Sequence, residues 1–247
     1  MKLTVYFTPL GLTPNVIAGK PVLVVDVLRT TTTIVAALEH GARAVLPAAT
    51  ADEALRLAGN LERDAVLLAG ERRMERIEGF ALGNSPAEME EGVVAGKTIV
   101  MATTNGTPAI VAADAGAPVL IGAITNFSAA VDRARQAFEE AGEIVLLCSG
   151  RERMFALEDA YVAGRFAHAL IPGKQRRSTD LNDATIAALE LVRRYGEKWK
   201  TAISASAAAR TLKKAGFKAD VVAATDADSS TIVPQYAERL VTLPDGG

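Results

Sequence analysis

Nine short, β-rich apolar runs recur along the chain: "LTVYF" (3–7), "PVLVVDV" (21–27), "AVLPA" (44–48), "AVLLAG" (65–70), "TIVMAT" (98–103), "PVLIGA" (118–123), "EIVLLCS" (143–149), "DVVAAT" (220–225) and "RLVTL" (239–243). Ala-rich segments with helical spacing separate most of them. "TTTTIVAALEHG" (30–41) and "NFSAAVDRARQAFEEAG" (126–142) both stop at a glycine, a common helix C-cap. Strands that are apolar on both faces and alternate with helices must be covered on both sides, which is the environment of a mainly parallel sheet. The fold class expected is therefore α/β. With 247 residues, 49% of them hydrophobic, the chain can bury a large core in one domain or in two intimate lobes.

A longer period overlies the short one. "GKPVLVVDVLRTTTTIVAALEHGARAVLPA" starts at Gly19 and "GKTIVMATTNGTPAIVAADAGAPVLIGA" starts at Gly96. Both read strand, polar turn, helix, Gly-Ala, strand. They continue to "VLLAGER" (66–72) and "VLLCSGR" (145–151), and then to "GFALGNSPAEM" (79–89) and "MFALEDAYVAG" (154–164). An internal duplication with an offset of roughly 77 residues accounts for the match; two βαβ units that merely share their type are the alternative. On the first reading residues 1–92 form one α/β lobe, 93–247 form a second with a C-terminal extension, and the site lies between them.

Polar residues fall where the strands end. Asp26, Arg29 and Thr30 follow one run, and Glu71 and Arg72 follow another. Thr103, Asn105 and Thr107 follow a third, Cys148, Ser149 and Arg151 a fourth, and Thr225, Asp226 and Asp228 a fifth. The C-terminal rim of a parallel sheet is where α/β proteins bind ligands, and helix N-termini there suit anions. Singly, Asp26 and Thr107 read equally as helix caps and Arg72 as a solvated charge; their convergence on one rim points to a site. In "GNSP" (83–86), Ser85 suits an N-cap before Pro86, which leaves Asn84 without a structural task. Glu158 and Asp159 are adjacent in an apolar helical run, so one of them turns inward, at a cost unless it is paired or holds a metal. Two first-turn acids favoured by the helix dipole are the alternative.

Several chemistries lose their support. A net charge of −2 and 5% aromatic residues point away from nucleic acid. No apolar run has membrane-spanning length, and "MKLTVYFTPLG" lacks the apolar core of a signal peptide, so a cytoplasmic protein with no membrane partner is expected. The single cysteine, Cys148, rules out an internal disulfide framework and a Cys-rich zinc site. His40 and His168 have no HExxH spacing, and no GxSxG, GxxxxGK[ST] or GxGxxG motif is present. Oxygen ligands and arginines remain. The former suit Mg²⁺ shared with substrate phosphate, and the latter suit bidentate binding of phosphate, sulfonate or carboxylate. The expectation is a Mg²⁺-assisted enzyme acting on a small anionic phosphate ester.

"VDVLRTTTTI", "GERRM", "GFALGNSPAE", "TTNGTPAI", "CSGRERMFALEDAYVAG" and "ATDADSSTIVP" together, from about residue 22 to 234, resemble the 2-phosphosulfolactate phosphatase family. The resemblance implies a Mg²⁺-dependent phosphatase that cleaves 2-phosphosulfolactate to sulfolactate and phosphate, a step of coenzyme M biosynthesis in archaea. It also implies an α/β fold of two related lobes. One departure stands out: Arg73 and Met74 follow Glu71 and Arg72, where the family commonly carries a small residue.

On this reading Glu158, Asp159 and Asp226 hold Mg²⁺ or orient its waters, with Asp26 and Glu71 as further catalytic carboxylates. Arg29 and Arg72 bind the anionic groups, and Asn84, Ser85, Asn105 and Thr107 complete the cradle, with Cys148 and Arg151 beside it. Cys148 is expected to line the site or pack beneath it without forming a covalent intermediate, because a Cys-x₅-Arg phosphate loop needs Arg where Met154 stands. Two rivals remain. "VVDVLRT" is similar to the hhhDxDxT motif of haloacid-dehalogenase-type phosphatases, with Asp26 as nucleophile but Leu28 at the second Asp position. A non-catalytic anion-binding or regulatory protein is the other, although it gains nothing from the Glu158–Asp159 pair. A homodimer is a further expectation.

Overall fold

The computed structural model describes residues 1–173 and 175–244. Its first half runs β1 (Lys2–Tyr6), α1 (Pro14–Ile17), β2 (Val22–Val25), α2 (Thr30–Glu39), β3 (Ala44–Ala48), α3 (Ala51–Ala58), β4 (Val66–Arg72), β5 (Glu75–Arg76) and α4 (Glu91–Val94). The middle comprises β6 (Thr98–Ala102), α5 (Gly106–Ala112), β7 (Val119–Gly122), α6 (Phe127–Ala141), β8 (Glu143–Cys148) and α7 (Leu157–Leu170). The remainder holds α8 (Gln175–Ser178), β9 (Asp180–Leu181), α9 (Asp183–Tyr195), α10 (Trp199–Ser204), α11 (Ala207–Lys214), α12 (Lys218–Ala223), β10 (Gln235–Ala237) and β11 (Leu240–Thr242).

The strands join in the order β5-β4-β6-β3-β11-β10-β7-β2-β8-β1-β9. The set β4-β6-β3 is parallel, as is β7-β2-β8-β1. Between them the hairpin β10–β11 makes three successive antiparallel pairings, so the two parallel sets run in opposite directions. The fold is α/β, as the alternation of runs requires. The period-2 geometry of the strands sorts their side chains into layers. Val22 and Val24 of β2 share one core with Val45 of β3, Ile99 and Met101 of β6, Ile34 of α2 and Ile110 of α5. Leu23 and Val25 face the other way, onto Val131 and Phe138 of α6 and Phe166 of α7. Leu46 and Val100 pack outward on Ala54 of α3. Helices α2 and α5 thus share one core with strands of both parallel sets.

The matched units are interleaved. Strand β2 sits between β7 and β8, and β6 sits between β3 and β4. Each unit lends its first strand to the other, so a boundary at 92/93 cuts through both parallel sets. The symmetry of the exchange is compatible with an internal duplication. It also revises the single-rim picture: strand ends from the two sets meet across the N-termini of α2 and α5, not along one edge.

One run was misassigned by pattern alone. Residues 220–225 belong mostly to helix α12, not to a strand. "KADVVA" is too short for apolar periodicity to decide between the two. Its Asp220 and Val221 are buried while Val222 and Ala223 are exposed, a helical pattern.

Candidate active site

The four-threonine run begins the site. A buried threonine needs a partner for its hydroxyl. Thr31 donates to the Asp26 carbonyl at 2.9 Å and Thr32 to the Val27 carbonyl at 2.9 Å. Thr33 reaches both the Arg29 and Asn84 carbonyls, at 3.2 and 3.0 Å. The run therefore folds back on the β2–α2 loop, and the Thr30 N–H donates to Asp26 Oδ1 at 3.1 Å. Asp26 is held just beyond the end of β2, buried.

Helix α5 closes against this loop. The Thr107 N–H donates to Thr103 Oγ1 at 3.0 Å, and the Thr103 N–H to Thr107 Oγ1 at 2.9 Å, a reciprocal pair that shapes the turn. Thr30 and Thr103 touch through their hydroxyls at 3.2 Å. Gly106 is required at this crossing, since a Cβ there would collide with Thr30 and with Asp26 Oδ2. The Asn105 Oδ1 accepts from the Glu152 N–H at 2.8 Å, which leaves its Nδ2 as the end able to donate to a ligand. Glu71 accepts from the backbone N–H groups of Thr104 and Met74, each at 2.7 Å, so it ties β4 to the β6–α5 loop.

Helix α7 brings the remaining acids. Asp159 accepts from the Val27 N–H at 2.9 Å, Ser149 Oγ at 3.1 Å and the Gly150 N–H at 3.2 Å. Despite those donors, burial pushes its carboxyl well above the usual range, with Asp26 and Glu158 adding repulsion. Burial likewise raises Asp26, with a smaller push from Glu71, and raises Glu158, with a push from Asp26. Arg151 partly offsets the effect at Glu158. These acids border a cavity of about 240 Å³, whose lining also carries Arg29, Arg73 and Arg151. Asn84 Oδ1 and Thr104 Oγ1, of residues lining the same cavity, are buried without a hydrogen-bond partner among the described residues.

Arg29 is fixed from behind. Its Nη1 pairs with Asp220 Oδ2 at 2.7 Å, both side chains 3% exposed, and its guanidinium lies over the Phe217 ring at 4.4 Å. Ser85 Oγ donates to the other Asp220 oxygen at 2.7 Å. Helix α12 is thereby clamped to the β2–α2 loop and to the 84–86 turn.

The structure gathers Asp26, Arg29, Glu71, Asn84, Asn105, Arg151, Glu158 and Asp159 at the cavity. Ser85 and Thr107 support it from behind. Three expected positions lie elsewhere. Asp226 is exposed past the end of α12 and lines a separate hollow, so it does not join Glu158 and Asp159; reading α12 as a strand put it on the wrong rim. Arg72 is exposed and outside the cavity lining, because strand alternation turns it away when Glu71 turns in. Cys148 is fully buried among the β8 core residues and is not part of the cavity lining; burial, with the acids nearby, pushes its thiol well up, and it packs beneath the site. Asp220, Thr104 and Thr211 of α11 are not marked for the site by any motif in the sequence, and Arg73, which stands out in the sequence only as a departure from the family pattern, also lines the cavity. For Asp220 the available signal was a single acid inside an apolar segment.

A family model described as 2-phosphosulpholactate phosphatase matches residues 6–239. A protein of Caldanaerobacter subterraneus subsp. tengcongensis named "Probable 2-phosphosulfolactate phosphatase" is 33% identical over 241 residues, 98% of either chain. Proteins of the same name from Thermotoga maritima and Deinococcus radiodurans are 35% and 38% identical. They cover 90% and 86% of this chain, and 92% and 85% of their own length. With family and relatives matching nearly end to end, the chain belongs to the 2-phosphosulpholactate phosphatase family.

Proposed function

We propose that this protein hydrolyses 2-phosphosulfolactate to sulfolactate and inorganic phosphate with the aid of Mg²⁺. One observation carries the reading: buried carboxylates, mutually repelling, line one cavity together with arginine and amide groups. Buried acids are costly unless something cationic joins them. The names of the relatives supply the substrate.

The donor set fits a magnesium ion. Asp26, Glu158 and Asp159 are hard oxygen ligands, and Asn84 Oδ1 is an orphaned acceptor beside them. Among the described residues no three acidic, His or Cys side chains form a group that could hold a metal ion by themselves, so an ion here would take the rest of its shell from water and substrate phosphate. When bound, the ion would neutralise phosphate charge and stabilise the developing oxyanions. The protein's own groups do the rest. Asn105 Nδ2 and Thr104 Oγ1 offer neutral donors to phosphoryl oxygens, and Arg151 offers a charged one. Arg29, immobilised by Asp220, presents a fixed positive charge at the wall. Asp159, held by three donors, keeps the β2 and β8 loops at a constant separation.

The test is phosphate release from 2-phosphosulfolactate with Mg²⁺ and with excess EDTA, paired with calorimetric titration of Mg²⁺. Hydrolysis that stops in EDTA, with Mg²⁺ affinity reduced in Glu158→Gln, supports the reading. Full turnover in EDTA overturns the metal requirement, and no turnover under any condition overturns the substrate.

A further inference from the structure

Three two-residue hairpin turns place both central residues at positive φ without using glycine: Arg73–Met74 (53° and 73°), Glu152–Arg153 (52° and 64°) and Glu238–Arg239 (49° and 66°). Such turns favour Asn-Gly, because other L-residues are strained there. The third has a structural use for its arginine, since Arg239 pairs with Glu53 at 2.7 Å. The first has a structural use for its methionine only. Met74 packs on the core and its N–H is held by Glu71. Arg73 lines the cavity with an exposed side chain that, among the described residues, makes no ion pair or side-chain hydrogen bond, so its guanidinium is open to solvent and to whatever enters the cavity. The other cavity guanidiniums are engaged: Arg29 with Asp220, and Arg151 with Thr211 Oγ1 at 3.3 Å.

The turn geometry alone does not mark a site, since Arg153 sits in the same kind of turn outside the cavity lining; what sets Arg73 apart is that its unengaged cation lies at the cavity. The substrate offers a matching group. The proposed substrate carries sulfonate and carboxylate groups besides its phosphate, and the acids lining the cavity repel those groups unless a cation binds them. We propose that Arg73 binds the non-reacting anionic group of the substrate and so sets the preference for esters that carry a second negative charge. The inference rests on the substrate class proposed above. A guanidinium binds sulfonate or carboxylate through two parallel hydrogen bonds.

The experiment compares wild type with Arg73→Asn, which suits positive φ and leaves Met74 in place, and with Arg73→Lys, which keeps the charge but not the fork. Two readouts are taken: binding of sulfolactate by calorimetry, and the ratio of kcat/KM for 2-phosphosulfolactate to that for phenyl phosphate, which lacks a second anion. In Arg73→Asn the sulfolactate Kd rises at least about tenfold and the ratio falls about as much, while Tm rises by about 1–3 °C as strain is relieved. Arg73→Lys lies between the two. Equal losses on both esters would place Arg73 on the phosphate and overturn the proposal, as would an unchanged sulfolactate Kd. If wild type cleaves neither ester, the proposed activity fails, and the sulfolactate titration still decides on Arg73.

Discussion

Removing the carboxylate behind Arg29 tests the most buried electrostatic contact of the site. Asp220→Ala leaves the Arg29 guanidinium without its counter-charge and Ser85 Oγ without its acceptor. Both partners of the pair are 3% exposed, so water cannot replace what is lost. Breaking a buried pair from one side costs about 3–5 kcal/mol. For a chain of this size that corresponds to a fall in Tm of about 6–20 °C. Asp220→Asn retains an oxygen for Ser85 and has nearly the same shape, but it loses the charge; its cost is about 1.5–3 kcal/mol. The Phe217 ring over the guanidinium keeps the cation partly stabilised in both variants. Scanning calorimetry reads the stability, and steady-state kinetics show whether a loosened Arg29 raises KM more than it lowers kcat. If both variants melt within about 2 °C of wild type, Arg29 is not held in the way the geometry describes.

Three further outcomes follow from the same contacts. Gly106→Ala drives a methyl into Thr30 and Asp26; Mg²⁺ affinity by calorimetry should fall at least about tenfold, and unchanged affinity would show that the loop yields freely. The raised carboxyls of Asp26, Glu158 and Asp159 favour the protonated, folded form. Their contribution is fully present below the unfolded carboxylate range of about 4 and is lost as pH rises through the higher folded values. Metal-free protein should therefore lose Tm as pH rises above the unfolded carboxylate range of about 4, Glu158→Gln should flatten that slope, and added Mg²⁺ should raise Tm more at the alkaline end of the titration than at the acidic end because it competes with protons; a larger Mg²⁺ effect at the acidic end would contradict this. Cys148→Ser should keep kcat within roughly tenfold, about 1.4 kcal/mol of barrier. Complete loss of turnover in a folded variant, with a phosphorylated thiol in wild type, would return the reaction to sulfur.

The strands and their alternation with helices were legible because Val-, Ile- and Leu-rich runs have few other solutions in water. The cavity acids were legible for a related reason: Glu158 and Asp159 interrupt an apolar helix, and Asp26 ends an apolar strand. Asp220 was not, because a six-residue apolar segment fits two periods, and choosing the strand moved attention to Asp226. The choice between Arg72 and Arg73 turns on which side of β4 faces the cavity, a matter of register that residue type does not encode. The exchange of β2 and β6 was also hidden. Strand neighbours are set by long-range packing, and the repeat reads the same whether each unit keeps its first strand or lends it.

That exchange has a consequence during synthesis. Strand β2 ends at Val25, and its two sheet neighbours begin at Val119 and Glu143. At ribosomal rates of about 5–20 residues per second, β2 is made roughly 5–20 s before the first of those partners exists. During that interval "VLVV" is an apolar strand with two open edges, the kind of segment that recruits the wrong neighbour. A fragment ending near residue 92 would hold this strand open permanently, and the matching fragment from 93 would lack the strand that belongs between β7 and β8. Each half alone lacks the neighbours of its own first strand, and only the two together contain every pairing of the sheet.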